Sequence, residues 1–70
     1  MSDTIEVVVN GEPRAMGRDR TLLDLLETLH LDPRTVVVEH NRKVVRRPAL
    51  AAVRLAHGDA VELVHFVGGG

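Results

Sequence analysis

The sequence is short, nearly neutral and free of cysteine, and these properties exclude several classes of protein. Its 70 residues are enough for one small domain. Without cysteine the chain has no disulfide, no thiolate metal site and no thiol nucleophile. A net charge of −1 and a single aromatic residue, Phe66, disfavour a nucleic-acid-binding protein. No run of 18 apolar residues predicts a membrane span, and residues 1–4 do not form a signal peptide, so we expect a cytoplasmic protein.

The N-terminal segment is typical of a two-stranded hairpin. Apolar and polar residues alternate weakly over residues 5–10, which predicts a strand. Asn10 and Gly11 form a strong hairpin signal because both residues tolerate a positive φ. Residues 12–16 are the expected returning strand, and Pro13 places it at a sheet edge because proline has no N–H to donate.

The next element is an amphipathic helix. Thr21 is its predicted N-cap, with Asp24 at the position that completes a capping box. Pro33 disfavours the α conformation at Asp32, so we expect the helix to end near Leu31. The apolar stripe of this helix recurs at helical spacing and indicates a core-facing side made of Leu22, Leu25, Leu26 and Leu29.

The second half of the sequence is rich in β-branched residues separated by turn signals. The predicted elements are a strand at 35–40, a turn at 41–43, a short strand at 44–45, a helical turn at 49–55, a turn at 57–59 and a strand at 60–67. In the helical turn, Leu50 and Val53 are expected to face inward. The order of elements predicts an α+β domain with one helix across a mixed sheet.

The last predicted strand has two apolar faces. Val61 and Leu63 share one face, whereas Val64 and Phe66 share the other. One helix covers only one face of a sheet, so Val64 and Phe66, together with Val8, are candidates for an exposed docking surface. The alternative is that Val64 and Phe66 pack beneath a neighbouring loop.

No arrangement of side chains predicts a catalytic or metal site. The four histidines have none of the short spacings of structural zinc ligands. A basic cluster indicates either a solvated loop or a surface for an acidic partner. We therefore interpret the chain as a carrier or substrate of enzymes and not as an enzyme. The histidines are His30, His40, His57 and His65, and the basic cluster is Arg42, Lys43, Arg46 and Arg47.

The final strand leads directly into Gly68, Gly69 and Gly70. Glycine has no Cβ, so such a tail can enter a narrow channel where any side chain would clash. A carboxylate at Gly70 is a group that a partner enzyme can activate as an acyl-adenylate. The alternative is an inert, frayed chain end.

Several segments resemble the ThiS family, the ubiquitin-like sulfur carriers of thiamin thiazole biosynthesis. They are residues 9–12, 21–26 and 36–41. The most specific match is residues 58–70, which end in the sequence His-Phe-Val-Gly-Gly-Gly. The resemblance covers nearly the whole chain.

The resemblance implies a single β-grasp domain over residues 1–70, with residues 67–70 as a flexible glycine tail. The fold would be a mixed sheet of four to five strands with one main helix on one face, and the first and last strands would pair in parallel at its centre. The resemblance also implies adenylation of Gly70 by a ThiF-type enzyme that uses ATP and magnesium. A cysteine desulfurase pathway would supply the sulfur of a thiocarboxylate, which a ThiG-type thiazole synthase would accept.

In this scheme the carrier itself binds no cofactor or metal, and its functional residues lie at one end of the chain. Gly70 is the expected site of covalent modification, Gly68 and Gly69 are the tail required for activation, and Val64, Phe66 and Val67 are the expected docking residues. The sequence departs from the family at three places: Arg42 replaces a frequent glycine beside Asn41, Arg46 replaces a common proline, and Leu50 replaces a frequent tryptophan.

Three other functions agree with the same residues. One is a sulfur carrier of the same fold for molybdopterin or amino-acid biosynthesis, in which the chemistry at Gly70 would be identical and only the acceptor would differ. A protein modifier would instead join Gly70 to a lysine. A plain β-grasp interaction module would leave the tail unmodified.

Overall fold

A computed structural model describes residues 3–66 as a five-stranded sheet crossed by one α-helix. The predicted glycine tail, 67–70, lies outside the described residues. None of the helices in residues 3–66 has the length and apolar character needed to cross a membrane. The elements are β1 (Thr4–Val9), β2 (Glu12–Gly17), α1 (Leu22–Thr28), β3 (Val36–His40), β4 (Lys43–Val45) and β5 (Ala60–His65), with short 3₁₀ helices at Pro33–Thr35 and Arg47–Ala49.

The strands lie in the order β2-β1-β5-β3-β4, so the first and last strands are neighbours at the centre of the sheet. β1 and β5 run parallel, with Val8 opposite Ala60 and Val9 opposite Val61, and the other neighbours are antiparallel. This arrangement confirms the predicted mixed sheet, the single main helix and the central parallel pair. β2 is an edge strand, as Pro13 predicted.

The start of α1 is specified locally, as predicted. The Asp24 N–H donates to the Thr21 hydroxyl at 3.2 Å, and the Thr21 N–H donates to the Asp24 carboxylate at 2.9 Å. A distant segment satisfies two more N–H groups of the first turn: Leu22 donates to the Val53 carbonyl and Leu23 to the Leu50 carbonyl. The capping box therefore fixes where the helix begins, and residues 50–53 hold that end against the sheet.

The predicted end of α1 near Leu31 is wrong, because the helix ends at Thr28. His30 adopts a left-handed φ of 59°. The His30 N–H donates to the Glu27 carbonyl at 3.0 Å, and the Leu31 N–H donates to the Leu26 carbonyl at 2.9 Å. This pair of bonds is a Schellman motif, which here forms on a histidine where glycine is usual. Asp32 is extended as expected, but the helix has already ended.

The hydrophobic core lies between α1 and one face of the sheet. Leu29, the last residue of the predicted stripe, is only partly buried, because it follows the last turn of the helix. Leu50 is 2% exposed and Val53 packs against the core, as predicted. Leu55 is also buried, which the sequence did not indicate. The buried side chains are Ile5, Val7, Met16, Leu22, Leu25, Leu26, Val36, Val38, Leu50, Leu55, Val61 and Leu63.

The hairpin that joins β3 and β4 turns at Asn41 and Arg42. Both residues have a left-handed backbone, with φ of 50° and 72°. Such a pair is the geometry of a tight two-residue hairpin turn, in which glycine is favoured at the second position. Arg42 therefore adopts the backbone conformation of this turn, although the family that the sequence resembles frequently has glycine at this position. β3 begins one residue later than predicted, because Thr35 belongs to the preceding 3₁₀ helix.

Candidate functional site

The face of the sheet that α1 does not cover carries exposed apolar side chains. Val44 is 62% exposed, Val64 is 56% exposed and Phe66 is 63% exposed. Leu63, on the opposite face of β5, is buried. The predicted division of the last strand into a core face and an open face is confirmed, and the alternative in which a loop covers Val64 and Phe66 is wrong.

The apolar residues of the open face lie on adjacent strands. Val64 is opposite Val37, and Val44 occupies the same face on the outer strand β4. Phe66 follows β5, and its N–H donates to the Thr35 carbonyl at 2.9 Å, so the backbone is held to the sheet up to this residue. We call Val37, Val44, Val64 and Phe66 the open patch. Val8, the further candidate, is half-buried on the same face.

Asn10 fixes the path of β5 towards the open patch. The Asn10 side-chain oxygen accepts from the Leu63 N–H at 2.7 Å, and its side-chain NH₂ donates to the Leu63 carbonyl at 3.3 Å. The Asn10 N–H also donates to the Val61 carbonyl. The Asn10 side-chain amide thus forms the two hydrogen bonds to Leu63 that a neighbouring strand would otherwise form, at a point where β1 has already ended. The sequence indicated Asn10 only as a turn residue, and nothing local reveals its contact with a residue so distant in the chain.

A second long-range cluster ties the β3–β4 turn to the start of β5. His40 Nε2 lies 2.7 Å from Asp59 Oδ2, and the Asn41 side chain donates to Asp59 Oδ1 at 3.2 Å. Burial tends to raise the pKa of Asp59, but hydrogen bonds from His40, the Ala56 N–H and Asn41 outweigh it and hold that pKa below its usual value. The cluster fixes the position at which β5 enters the sheet.

The other histidines do not join this cluster. His30 and His65 are exposed, and His57 Nδ1 accepts a hydrogen bond from the Glu6 N–H at 3.1 Å. Within residues 3–66, no group of three or more histidine, aspartate or glutamate side chains is arranged to hold a metal ion. The predicted basic cluster, Arg42, Lys43, Arg46 and Arg47, is exposed.

The structure describes two of the predicted site residues, Val64 and Phe66, and places both on the open face. The predicted docking residue Val67 and the predicted tail residues Gly68, Gly69 and Gly70 lie outside the described residues. The part of the chain before the predicted tail is therefore a strand end that is hydrogen-bonded to the sheet and carries an apolar surface. This surface is suited to docking against another protein.

Comparison with known proteins finds relatives of two kinds. The chain is 36% identical over 63 residues to the sulfur carrier protein ThiS of Bacillus subtilis, covering 89% of this chain and 96% of that protein. It is 42% identical over 66 residues to a thiazole synthase of Magnetococcus marinus and 39% identical over 66 residues to one of Paramagnetospirillum magneticum. The chain spans 20% of the length of each thiazole synthase.

The structural comparison and the family comparison lead to the same assignment. The crystal structure of the thiamine biosynthesis protein ThiS from Geobacter metallireducens matches with a TM-score of 0.82 and 35% identity, over 94% of this chain and all of that one. This match confirms the β-grasp prediction. The sequence model of the ThiS family matches residues 7–70. This chain therefore belongs to the ThiS family.

Proposed function

We propose that this chain is a sulfur carrier of thiamine biosynthesis and that its sulfur is attached at Gly70. The observation that carries the proposal is the similarity to the Bacillus subtilis sulfur carrier, which extends over 96% of that protein. The match to the ThiS family continues through the glycines to residue 70. The absence of cysteine from the chain supports the same assignment, because no side-chain thiol is available to carry sulfur.

The chemistry proceeds at the carboxylate of Gly70. A ThiF-type enzyme, using ATP and magnesium, transfers an adenylyl group to this carboxylate and releases pyrophosphate. A desulfurase persulfide, which carries sulfur taken from cysteine, then displaces AMP at the acyl carbon. A second thiol cleaves the S–S bond of the resulting acyl persulfide, which leaves a thiocarboxylate on the carrier and a disulfide on the sulfur donor. Thiazole synthase accepts this sulfur, and the carrier returns as a carboxylate.

The open patch is the proposed docking surface for these enzymes. It combines Phe66 with three exposed or half-buried valines on neighbouring strands, and it lies at the end of β5 that leads into the tail. A partner that covers the open patch holds the strand end while residues 67–70 extend into its active site. Gly68 and Gly69 serve this step because residues without a Cβ fit a narrow channel.

A thiazole synthase is the proposed sulfur acceptor. In the two thiazole synthases named above, a segment similar to this chain forms part of the same polypeptide. This link supports the thiazole pathway over carriers of molybdopterin or amino-acid biosynthesis. The adenylating enzyme and the desulfurase are proposed from the chemistry that the carrier requires.

Removal of Gly70 tests the proposal. A protein that ends at Gly70 should support ATP–pyrophosphate exchange by the adenylating enzyme, whereas variants that lack Gly70 or carry one further residue should not. Their circular dichroism spectra should be unchanged, because all the core residues in the described part of the chain precede Val64. Glu27→Gln, on the exposed side of α1, is the matched control. Unchanged exchange by the shortened protein contradicts the assignment of Gly70.

A further inference from the structure

At its strand positions, the open face of the sheet carries acidic residues and no basic ones. Its strand positions follow from the pairing of the strands, because residues opposite each other point to the same side. The charged residues among them are Glu6, Glu39 and Glu62. None of the nine lysine and arginine residues of the chain occupies a strand position on this face. Arg14 and Lys43, the two on strands, point to the opposite side.

Two of these carboxylates are directly opposed. Glu39 on β3 is the partner of Glu62 on β5, and the next pair on the same face is Val37 with Val64. Val44 flanks Glu39 from β4. Glu39 is half-buried and Glu62 is exposed. Within residues 3–66 neither carboxylate forms an ion pair or a side-chain hydrogen bond.

This pair is unfavourable for the isolated domain. Like charges placed directly opposite on a sheet destabilise it. Valines surround the pair, so the sheet itself gains nothing from two acidic side chains at these positions. A cation supplied from outside removes the repulsion and gains two carboxylate partners. The two carboxylates and the valines around them therefore favour a partner surface that is apolar and carries a basic side chain.

We infer that thiazole synthase covers the open patch and places a basic side chain, preferably arginine, between Glu39 and Glu62. A guanidinium is suited to this position because it donates several hydrogen bonds in one plane and its stem packs on apolar surface. Thiazole synthase is the chosen partner because a segment similar to this chain is part of the same polypeptide in two relatives. The inference rests on the proposed function, which places docking on this face.

The test compares the binding of charge-neutral variants to thiazole synthase. Glu39→Gln and Glu62→Gln should each weaken binding about tenfold, because each removes one partner of an interfacial cation. The double variant should lose at least as much again, because it leaves the interfacial cation without any carboxylate partner. Raising the salt concentration should weaken the unaltered protein more than either variant. Glu27→Gln, on α1, should bind normally.

The melting temperature distinguishes this inference from a structural role of the two carboxylates. If the carboxylates stabilised the fold, the Gln variants would melt at a lower temperature. Both Gln variants should melt about 1–5 °C higher, because they relieve like-charge repulsion in a small domain. A lower melting temperature shows that the carboxylates stabilise the fold and overturns the inference. We expect both Gln variants to combine higher thermal stability with weaker binding, because the two carboxylates repel each other in the free domain and attract a cation of the partner.

The remaining outcomes separate failure of this inference from failure of the proposed docking face. If Phe66→Ala weakens binding but the Gln variants do not, the face docks without a cation and only the inference fails. If none of these variants affects binding, the docking face itself is wrong. Weakened activation by the adenylating enzyme, with normal binding to thiazole synthase, assigns the cation to the other enzyme. Self-association that the Gln variants abolish assigns the face to a second copy of this chain. Either assignment overturns the inference.

Discussion

Replacement of Phe66 by alanine should separate docking from folding. The side chain is 63% exposed, so only about a third of an aromatic surface of roughly 200 Å² is removed from water. At about 25 cal/mol per Å² this area contributes at most about 2 kcal/mol. The β-carbon remains in alanine and the unfolded chain is itself partly compact, so we expect a loss of about 1 kcal/mol. That loss corresponds to a fall of about 4–8 °C in melting temperature.

Leu63→Ala is the control for this prediction, because Leu63 lies on the same strand but faces the core. It should cost about 2–5 kcal/mol of folding stability. Partner binding per folded molecule should fall strongly for Phe66→Ala and little for Leu63→Ala. Thermal melting and titration calorimetry measure the two effects. The reasoning is refuted if Phe66→Ala loses as much stability as Leu63→Ala while binding per folded molecule is unchanged.

Two further predictions concern the hairpin between β3 and β4 and the cluster at Asp59. Arg42→Gly should raise the unfolding free energy by about 0.5–1 kcal/mol in urea titrations, because glycine relieves the left-handed φ at some entropic cost. Arg42→Ala, which keeps that backbone penalty, should not, and an equal gain in both variants contradicts the explanation. Because the pKa of Asp59 is held below its usual 3.8, the ionised carboxylate stabilises the fold above that pH, and this contribution is lost as pH falls through the lower, folded value. Melting curves between neutral and strongly acidic pH should therefore fall more steeply below about pH 4 for the unaltered protein than for Asp59→Asn, and parallel curves would contradict this prediction.

Features that depend on neighbouring residues were predictable from the sequence. The capping box needs only Thr21 and Asp24, and the two faces of β5 follow from the alternation of its side chains. The edge position of β2 follows from Pro13, which has no N–H for a second neighbouring strand. In each case the physical constraint acts within a few residues, so the pattern alone indicates the structure.

Features that depend on distant residues were not predictable. Asn10 binds the backbone of Leu63, and His40 contacts Asp59, and neither spacing has a local signature. The end of α1 was misplaced because His30 adopts a left-handed backbone that histidine only occasionally takes. The opposition of Glu39 and Glu62 also emerges only from the register of β3 against β5.

The most direct measurement of the central claim is the intact mass of the carrier after sulfur loading. The protein is incubated with its adenylating enzyme, ATP, magnesium and a desulfurase supplied with cysteine. We predict a mass gain that corresponds to one oxygen replaced by sulfur, located in the peptide that contains Gly70 and lost when thiazole synthase and its substrates are added. A variant without Gly70 should show no gain. An unchanged mass, under conditions that convert another ThiS protein, contradicts the sulfur-carrier function, and an adduct linked to lysine indicates a protein modifier.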